Sequence, residues 1–253
     1  MTRQQPTDKA TGPTTDEAAH EAAQEAADRQ RIPLNRDRVL RAAVALADAT
    51  GIDALSMRKL AQELGVVPMA LYKHVANKEE LLDGMVDAVV TEIDPPAADP
   101  DWRSVVRGRI LSARRALLRH PWAARVIESR TAPTPAVLAY LDSMAGCFRS
   151  GGLSADLTHH VMHAMGSRLL GFSQELFDTS GPSGPPDPAM AARYPHIAEL
   201  AATAAHDGGS TVAGGCDDQF EFEFALDLLL NGFETLNRQG WTSTRTTRRT
   251  PPT

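Results

Sequence analysis

The chain has only two cysteines in 253 residues, Cys147 and Cys216, and they lack the paired spacing of a metal or redox site. So few thiols exclude a disulfide framework and fit the reducing cytoplasm. Aromatic residues make up 5 % of the chain, while alanine is abundant, a balance that favours helices over sheets. No apolar run is long enough to span a bilayer, and residues 1–31 lack the apolar core of a signal peptide, so no membrane partner and no export are expected. Catalytic signatures are missing as well. There is no Gly-x-Ser-x-Gly, no Gly-x-Gly-x-x-Gly, no Walker loop and no His-Glu-x-x-His, so neither an enzyme nor a cofactor is expected.

What is present is enough chain to bury a core without staples, with 42 % hydrophobic and 23 % charged residues. The formal net charge of -6 argues against a polyanionic partner, because nucleic-acid binding rests on neutralising phosphates. Its distribution reverses that inference locally. Between residues 34 and 78 seven basic residues (Arg36, Arg38, Arg41, Arg58, Lys59, Lys73, Lys78) face four acidic ones (Asp37, Asp48, Asp53, Glu63).

Hydrophobic periodicity predicts an all-α fold. Residues 1–31 repeat Glu-Ala-Ala blocks without an apolar stripe and read as a disordered acidic arm. Asn35 is placed to cap a first helix carrying Val39, Ala43, Leu46 and Ala47 inward and ending at Gly51. Ser56 caps a short second helix with Leu60, Ala61 and Leu64 on one face, stopped by Gly65. Pro68 opens a third, expected to run through Leu71, Tyr72 and His74. Asn77 with Glu80 forms a capping-box variant at the head of a fourth, which Pro95 and Pro96 end. Helical patterning then recurs over residues 102–120, 122–129, 135–149, 154–177 and 218–239, with Gly/Pro-rich stretches at 180–188 and 208–215 read as loops. The expected division is an arm (1–31), a three-helix head with a helix-turn-helix (32–94), a larger helical bundle for effector binding and dimerisation (95–242), and a disordered basic tail (243–253).

Two short helices joined by a tight Gly turn have the order and size of a DNA-reading helix-turn-helix, in which the second helix enters the major groove. Arg58 is suited to grip guanine through two acceptors, and Tyr72, Lys73, His74 and Lys78 suit phosphates. Helix pairs of this size also occur in proteins that never meet DNA, and Arg58, Lys59 and Tyr72 could equally be a solvated or half-packed helix face. The run Leu55-Ser56-Met57-Arg58-Lys59-Leu60-Ala61-Gln62-Glu63-Leu64-Gly65-Val66, followed by Ala70-Leu71-Tyr72-Lys73-His74-Val75 and Asn77-Lys78-Glu79-Glu80-Leu81-Leu82, closely resembles the signature of the TetR family of transcriptional regulators, in its tetracycline-repressor branch. The resemblance implies base contact by Arg58, base or backbone contacts near Pro68, Met69 and Ala70, and phosphate contacts by Tyr72, His74 and Lys78. Lys73 replaces an aromatic of that branch, and Val67, Pro68, Met69 and Ala70 replace a more polar stretch, so the operator is expected to differ.

Downstream, His120-Pro121-Trp122 and the segment from Phe220 to Gly232 look like the C-terminal domains of the same branch. The resemblance implies a homodimer on double-stranded, pseudo-palindromic operator DNA, released by an unknown small-molecule effector. The expected seam involves Leu157, Val161, Phe220, Phe224 and Leu228, although the same stripe would serve as intramolecular core. Trp102, Trp122, Arg125, Met165, Phe172 and Gln174 are the candidate effector lining, with ordinary core packing as the plainer reading. His159 and His163 lie one turn apart but have no nearby Cys or carboxylate ligands, so no metal is assigned. The competing function is a helical ligand-binding or adaptor protein that keeps the fold without specific DNA binding; salt-dependent DNA affinity separates the two.

Overall fold

The computed structural model describes residues 33–171, 188–196, 198–199 and 218–244, and every regular element among them is helical. The chain divides into two compact units, at Leu82/Asp83.

The first unit begins with α1 (Arg36–Thr50), whose Asn35 side chain accepts the Arg38 N–H at 2.8 Å. Val39, Leu40, Ala43, Leu46 and Ala47 form its buried face. A 3-10 turn (Ile52–Ala54) leads to α2 (Met57–Glu63), capped by Ser56 through the Lys59 N–H at 3.2 Å. The end of α2 is a Schellman motif: the Val66 N–H donates to Ala61 O and the Gly65 N–H to Gln62 O. Gly65 has φ +67°, which a side chain would strain, so the sharp turn depends on it. Val67 then delivers the chain into α3 (Pro68–Leu71), packed on α2. This helix is shorter than its sequence suggests. After Leu71 the backbone tightens into bonds from the His74 and Val75 N–H groups to Leu71 O, so Tyr72, Lys73 and His74 lie on a turn rather than in the helix. Buried Leu71 and Val75 fix both ends of that turn.

Next is α4 (Lys78–Val90), within which the division between the units falls. Its start is a reciprocal cap: the Glu80 N–H donates to Asn77 Oδ1 at 2.8 Å, and the Glu80 carboxylate accepts the Ala76 N–H at 2.7 Å.

The second unit contains α5 (Trp102–Arg119), α6 (Trp122–Ser129), α7 (Pro135–Ser150), α8 (Ala155–Gly171), α9 (Pro188–Arg193) and α10 (Asp218–Arg238). Helices α5, α7, α8 and α10 enclose one core built on Val106, Phe148, Leu153, Leu157, Phe222 and Leu226, each side chain contributing roughly 1.5–3 kcal/mol through apolar burial. Trp102 packs tilted on Phe148, and Phe148 meets Phe233 edge-on, with centroids 5.8 and 6.3 Å apart. Gly151 ends α7 against the Trp102 ring, leaving no room for a side chain. Polar bonds tie the C-terminal part of α4 and its following turn into this unit: Asp83 pairs with Arg130 at 2.8 Å, Asp87 accepts the Ala136 N–H, Glu92 binds Arg119 and His120, and Asp94 binds Ser112 and Arg115.

Helix α10 carries two apolar faces. Phe222, Leu226, Leu230 and Phe233 are buried, whereas Phe220, Phe224 and Leu228, each two residues away from a buried one, are more than half exposed. The tail expected from residue 243 is held at its first position, where the Ser243 N–H and hydroxyl both donate to the Asp156 carboxylate at 2.6 Å. The expected arm and the two Gly/Pro-rich stretches lie outside the described residues, apart from Pro188, which begins α9.

Candidate nucleic-acid interface

The surface of the first unit follows from how its helices are anchored. Leu60 and Ala61 of α2, and Leu71 and Val75 of the α3 segment, are buried, which leaves the residues between them outward. Pro68 is exposed, Met69 is 71 % and Val67 68 % exposed, and Ala70 is half-buried. Tyr72, Lys73 and Lys78 are exposed, His74 is half-buried and Arg58 is exposed on α2.

Among the described residues, no side-chain hydrogen bond or ion pair engages Arg58, Tyr72, Lys73, His74 or Lys78. Their neighbours are engaged. Lys59 donates to Thr50 Oγ1 at 3.3 Å, and Arg36 lies 3.9 Å from Glu80. A surface that keeps Arg58, Lys73 and Lys78 without counter-ions beside two large exposed apolar side chains is suited to a polyanion with apolar groups between its charges. Duplex DNA offers that combination, phosphates flanking a groove floor of base edges and thymine methyls.

In the second unit, Trp102 and Met165 are sealed in the common core, and Trp122 is buried edge-on to His120 with centroids 6.1 Å apart, while Arg125 is exposed. Phe172 and Gln174 lie outside the described residues. Leu157 and Val161 are fully internal, so the exposed part of the expected seam reduces to Phe220, Phe224 and Leu228; the rings of Phe220 and Phe224 stack 6.4 Å apart. The His159 and His163 rings meet edge-on at 4.7 Å, and His160 meets Trp241 at 5.3 Å; no group of three or more potential metal ligands occurs among the described residues. An open groove of about 550 Å³ runs beside them, lined by Leu141, Arg149, Thr158, His159, Met162 and His163 among others.

Sequence reasoning missed the buried arginines. Arg109 and Arg114 of α5 are both enclosed: Arg114 lies 4.4 Å over the Phe222 ring with its Nε donating to Gln219, and Arg109 lies 5.1 Å over Tyr140. Arg107 makes a forked contact with Glu223 and Asp227 of α10, which raises the Arg107 pKa further. In sequence these residues look like a solvated basic face.

Comparison with known proteins places both units. Residues 39–85 match the family described as bacterial regulatory proteins, tetR family, and residues 95–237 match the tetracyclin repressor-like C-terminal domain. The HTH-type transcriptional repressor DrrR1 of Streptomyces coeruleorubidus is 38 % identical over 123 residues, 48 % of this chain and 46 % of that protein, so the chain spans about half of that relative. The class C tetracycline repressor protein of Escherichia coli is 30 % identical over 80 % of this chain and 92 % of its own. Among solved structures, apo ActR of Streptomyces coelicolor has 29 % identity and a TM-score of 0.67 over 83 % of this chain and 99 % of that one. ActR has also been solved in complex with actinorhodin.

Proposed function

The chain belongs to the TetR family of bacterial regulatory proteins, and from that premise we propose a ligand-responsive repressor that binds a pseudo-palindromic operator as a homodimer and is released by a small molecule. The observation that carries the DNA assignment is the unpaired set of Arg58 on α2, Lys73 on the turn between buried Leu71 and Val75, and Lys78 at the start of α4, together with exposed Val67, Pro68 and Met69 at the start of α3. In this reading Arg58 reads a guanine, Tyr72, Lys73, His74 and Lys78 hold phosphates, and Met69 and Ala70 touch thymine methyls.

The dimer seam forms on the outer face of α10, where Phe220, Phe224 and Leu228 are more than half exposed, and two-fold symmetry then sets two reading heads about 34 Å apart on successive major grooves. Ligand response is supported by the tetracycline repressors and by the ActR–actinorhodin complex. The levers available to a ligand within the second unit are the polar bonds of Asp83, Asp87, Glu92 and Asp94, because α4 continues from them into the head. A ligand releases DNA only by favouring one of two arrangements, so its affinity must differ between them. We read the protein as a cytoplasmic regulator rather than a catalyst; no helix among the described residues is long and apolar enough to cross a membrane.

The test is selection of bound duplexes from random DNA by the purified full chain. Enrichment of a two-fold symmetric site is expected. Absence of any enriched sequence would instead favour the adaptor reading.

A further inference from the structure

Helix α5 carries six arginines, and five of them are engaged. Arg103 donates to Asn231, Arg107 to Glu223 and Asp227, Arg114 to Gln219, Arg115 to Asp94, and Arg119 to Glu92. Arg109 is the exception among the described residues. It is 6 % exposed, its Nε is buried without an acceptor, and no carboxylate pairs with it.

Among the described residues, its surroundings supply a second donor and no paired carboxylate. The guanidinium sits 5.1 Å from the ring centroid of Tyr140 on α7, and the Tyr140 hydroxyl is also buried with no hydrogen-bond partner. Burial raises the Tyr140 pKa to about 12 and pushes the Cys147 thiol up, so both stay neutral near pH 7, and the positive charge of Arg109 is not cancelled by either. Tyr140 packs on the apolar core that includes Ile110, Met144 and Phe148. A guanidinium remains protonated in any protein interior, so an enclosed one without a counter-ion is costly. The face of Tyr140 offsets only part of that cost through cation–π attraction.

We propose that Arg109 and Tyr140 are the recognition end of the effector site, and that the effector is a largely apolar small molecule carrying one carboxylate. This rests on the ligand-responsive reading above and names the class of ligand it requires. The planar guanidinium fork matches the two oxygens of a carboxylate, and the Tyr140 O–H supplies a further donor to the same group. One buried positive charge balances one negative charge, whereas a phosphate dianion would bring a second charge with no partner. The apolar residues around Tyr140 favour a hydrocarbon or aromatic body behind the acid.

The experiment is a thermal-shift and equilibrium-binding series on the full chain without DNA. Its probes are benzoate, naphthoate and anthraquinone-2-carboxylate, graded in size, each beside its neutral carboxamide. At least one carboxylate should bind wild type about tenfold or more tightly than its amide, as a charge-assisted pair requires, and Arg109→Met should abolish that preference. Tyr140→Phe should reduce the preference without removing it. Arg109→Met, free of ligand, should melt no lower than wild type, because it removes an unpaired buried charge while keeping similar bulk. The proposal is overturned if Arg109→Met melts several degrees lower, since that marks a structural cation on Tyr140. It is equally overturned if the amides bind as well as the acids, or if no acid of the series binds. The readout is independent of DNA, so a failed operator selection with intact acid binding would remove the repressor reading and leave the anion site standing.

Discussion

Replacing Arg58 with Ala should leave the fold intact and strip sequence preference from the DNA complex. Arg58 is exposed and without a side-chain partner, and Arg and Ala are both good helix formers, so folding stability should change by no more than about 0.5 kcal/mol. The whole effect therefore falls on binding. Losing a two-point contact to guanine costs roughly 1–3 kcal/mol at each half-site. A dimer loses two, about 2–6 kcal/mol, or a ~30-fold to ~10⁴-fold rise in Kd. The assay is fluorescence anisotropy with the selected site and with duplexes substituted base by base in each half. Wild type should discriminate at one guanine position that the variant no longer reads. Equal weakening on every duplex, with a salt slope lowered by about 0.9 per head, would assign Arg58 to a phosphate instead. Unchanged affinity would remove it from the interface.

Lys78→Gln should weaken all duplexes alike and lower the slope of log K against log salt by about 2 for the dimer, one phosphate per head, measured by the same titration. Gly151→Ala places a Cβ within 2.8 Å of three ring atoms of buried Trp102, so overpacking should destabilise the protein by roughly 1–3 kcal/mol in chemical denaturation. Asp101, which caps α5, has its pKa lowered chiefly by the Ser104 hydroxyl and then by the Arg103 N–H. A carboxylate with a depressed folded pKa contributes stability above its unfolded value and loses it as pH falls through the folded one. Acid titration followed by circular dichroism should therefore show a shallower loss below the ordinary carboxylate range in Asp101→Asn.

Much of the head was legible because its signals are local. Asn35, Ser56 and Asn77 occupy the caps their chemistry suits, Gly65 makes the left-handed turn, and Pro68 opens a helix where its missing N–H costs nothing. The early end of α3 was not, since Tyr72, Lys73 and His74 continue a helical composition and only the bonds to Leu71 O show the tightening. The second unit resisted for a different reason. An apolar stripe does not say what covers it: Leu157 and Val161 face the monomer core, while Phe220, Phe224 and Leu228 stand outside a helix whose other face carries Phe222, Leu226 and Leu230. Nor does an arginine on an amphipathic helix announce that it is enclosed. Arg107 and Arg109 differ in sequence by two positions, yet one meets two carboxylates and the other meets an aromatic face.

The most direct test of the account is a side-by-side titration of the full chain on its selected site and on a scrambled duplex of the same length and composition, at one physiological salt concentration. A sequence-reading regulator should prefer its site by about 10³-fold or more. Equal affinity for the two duplexes would contradict it, leaving a basic surface that meets DNA without reading it.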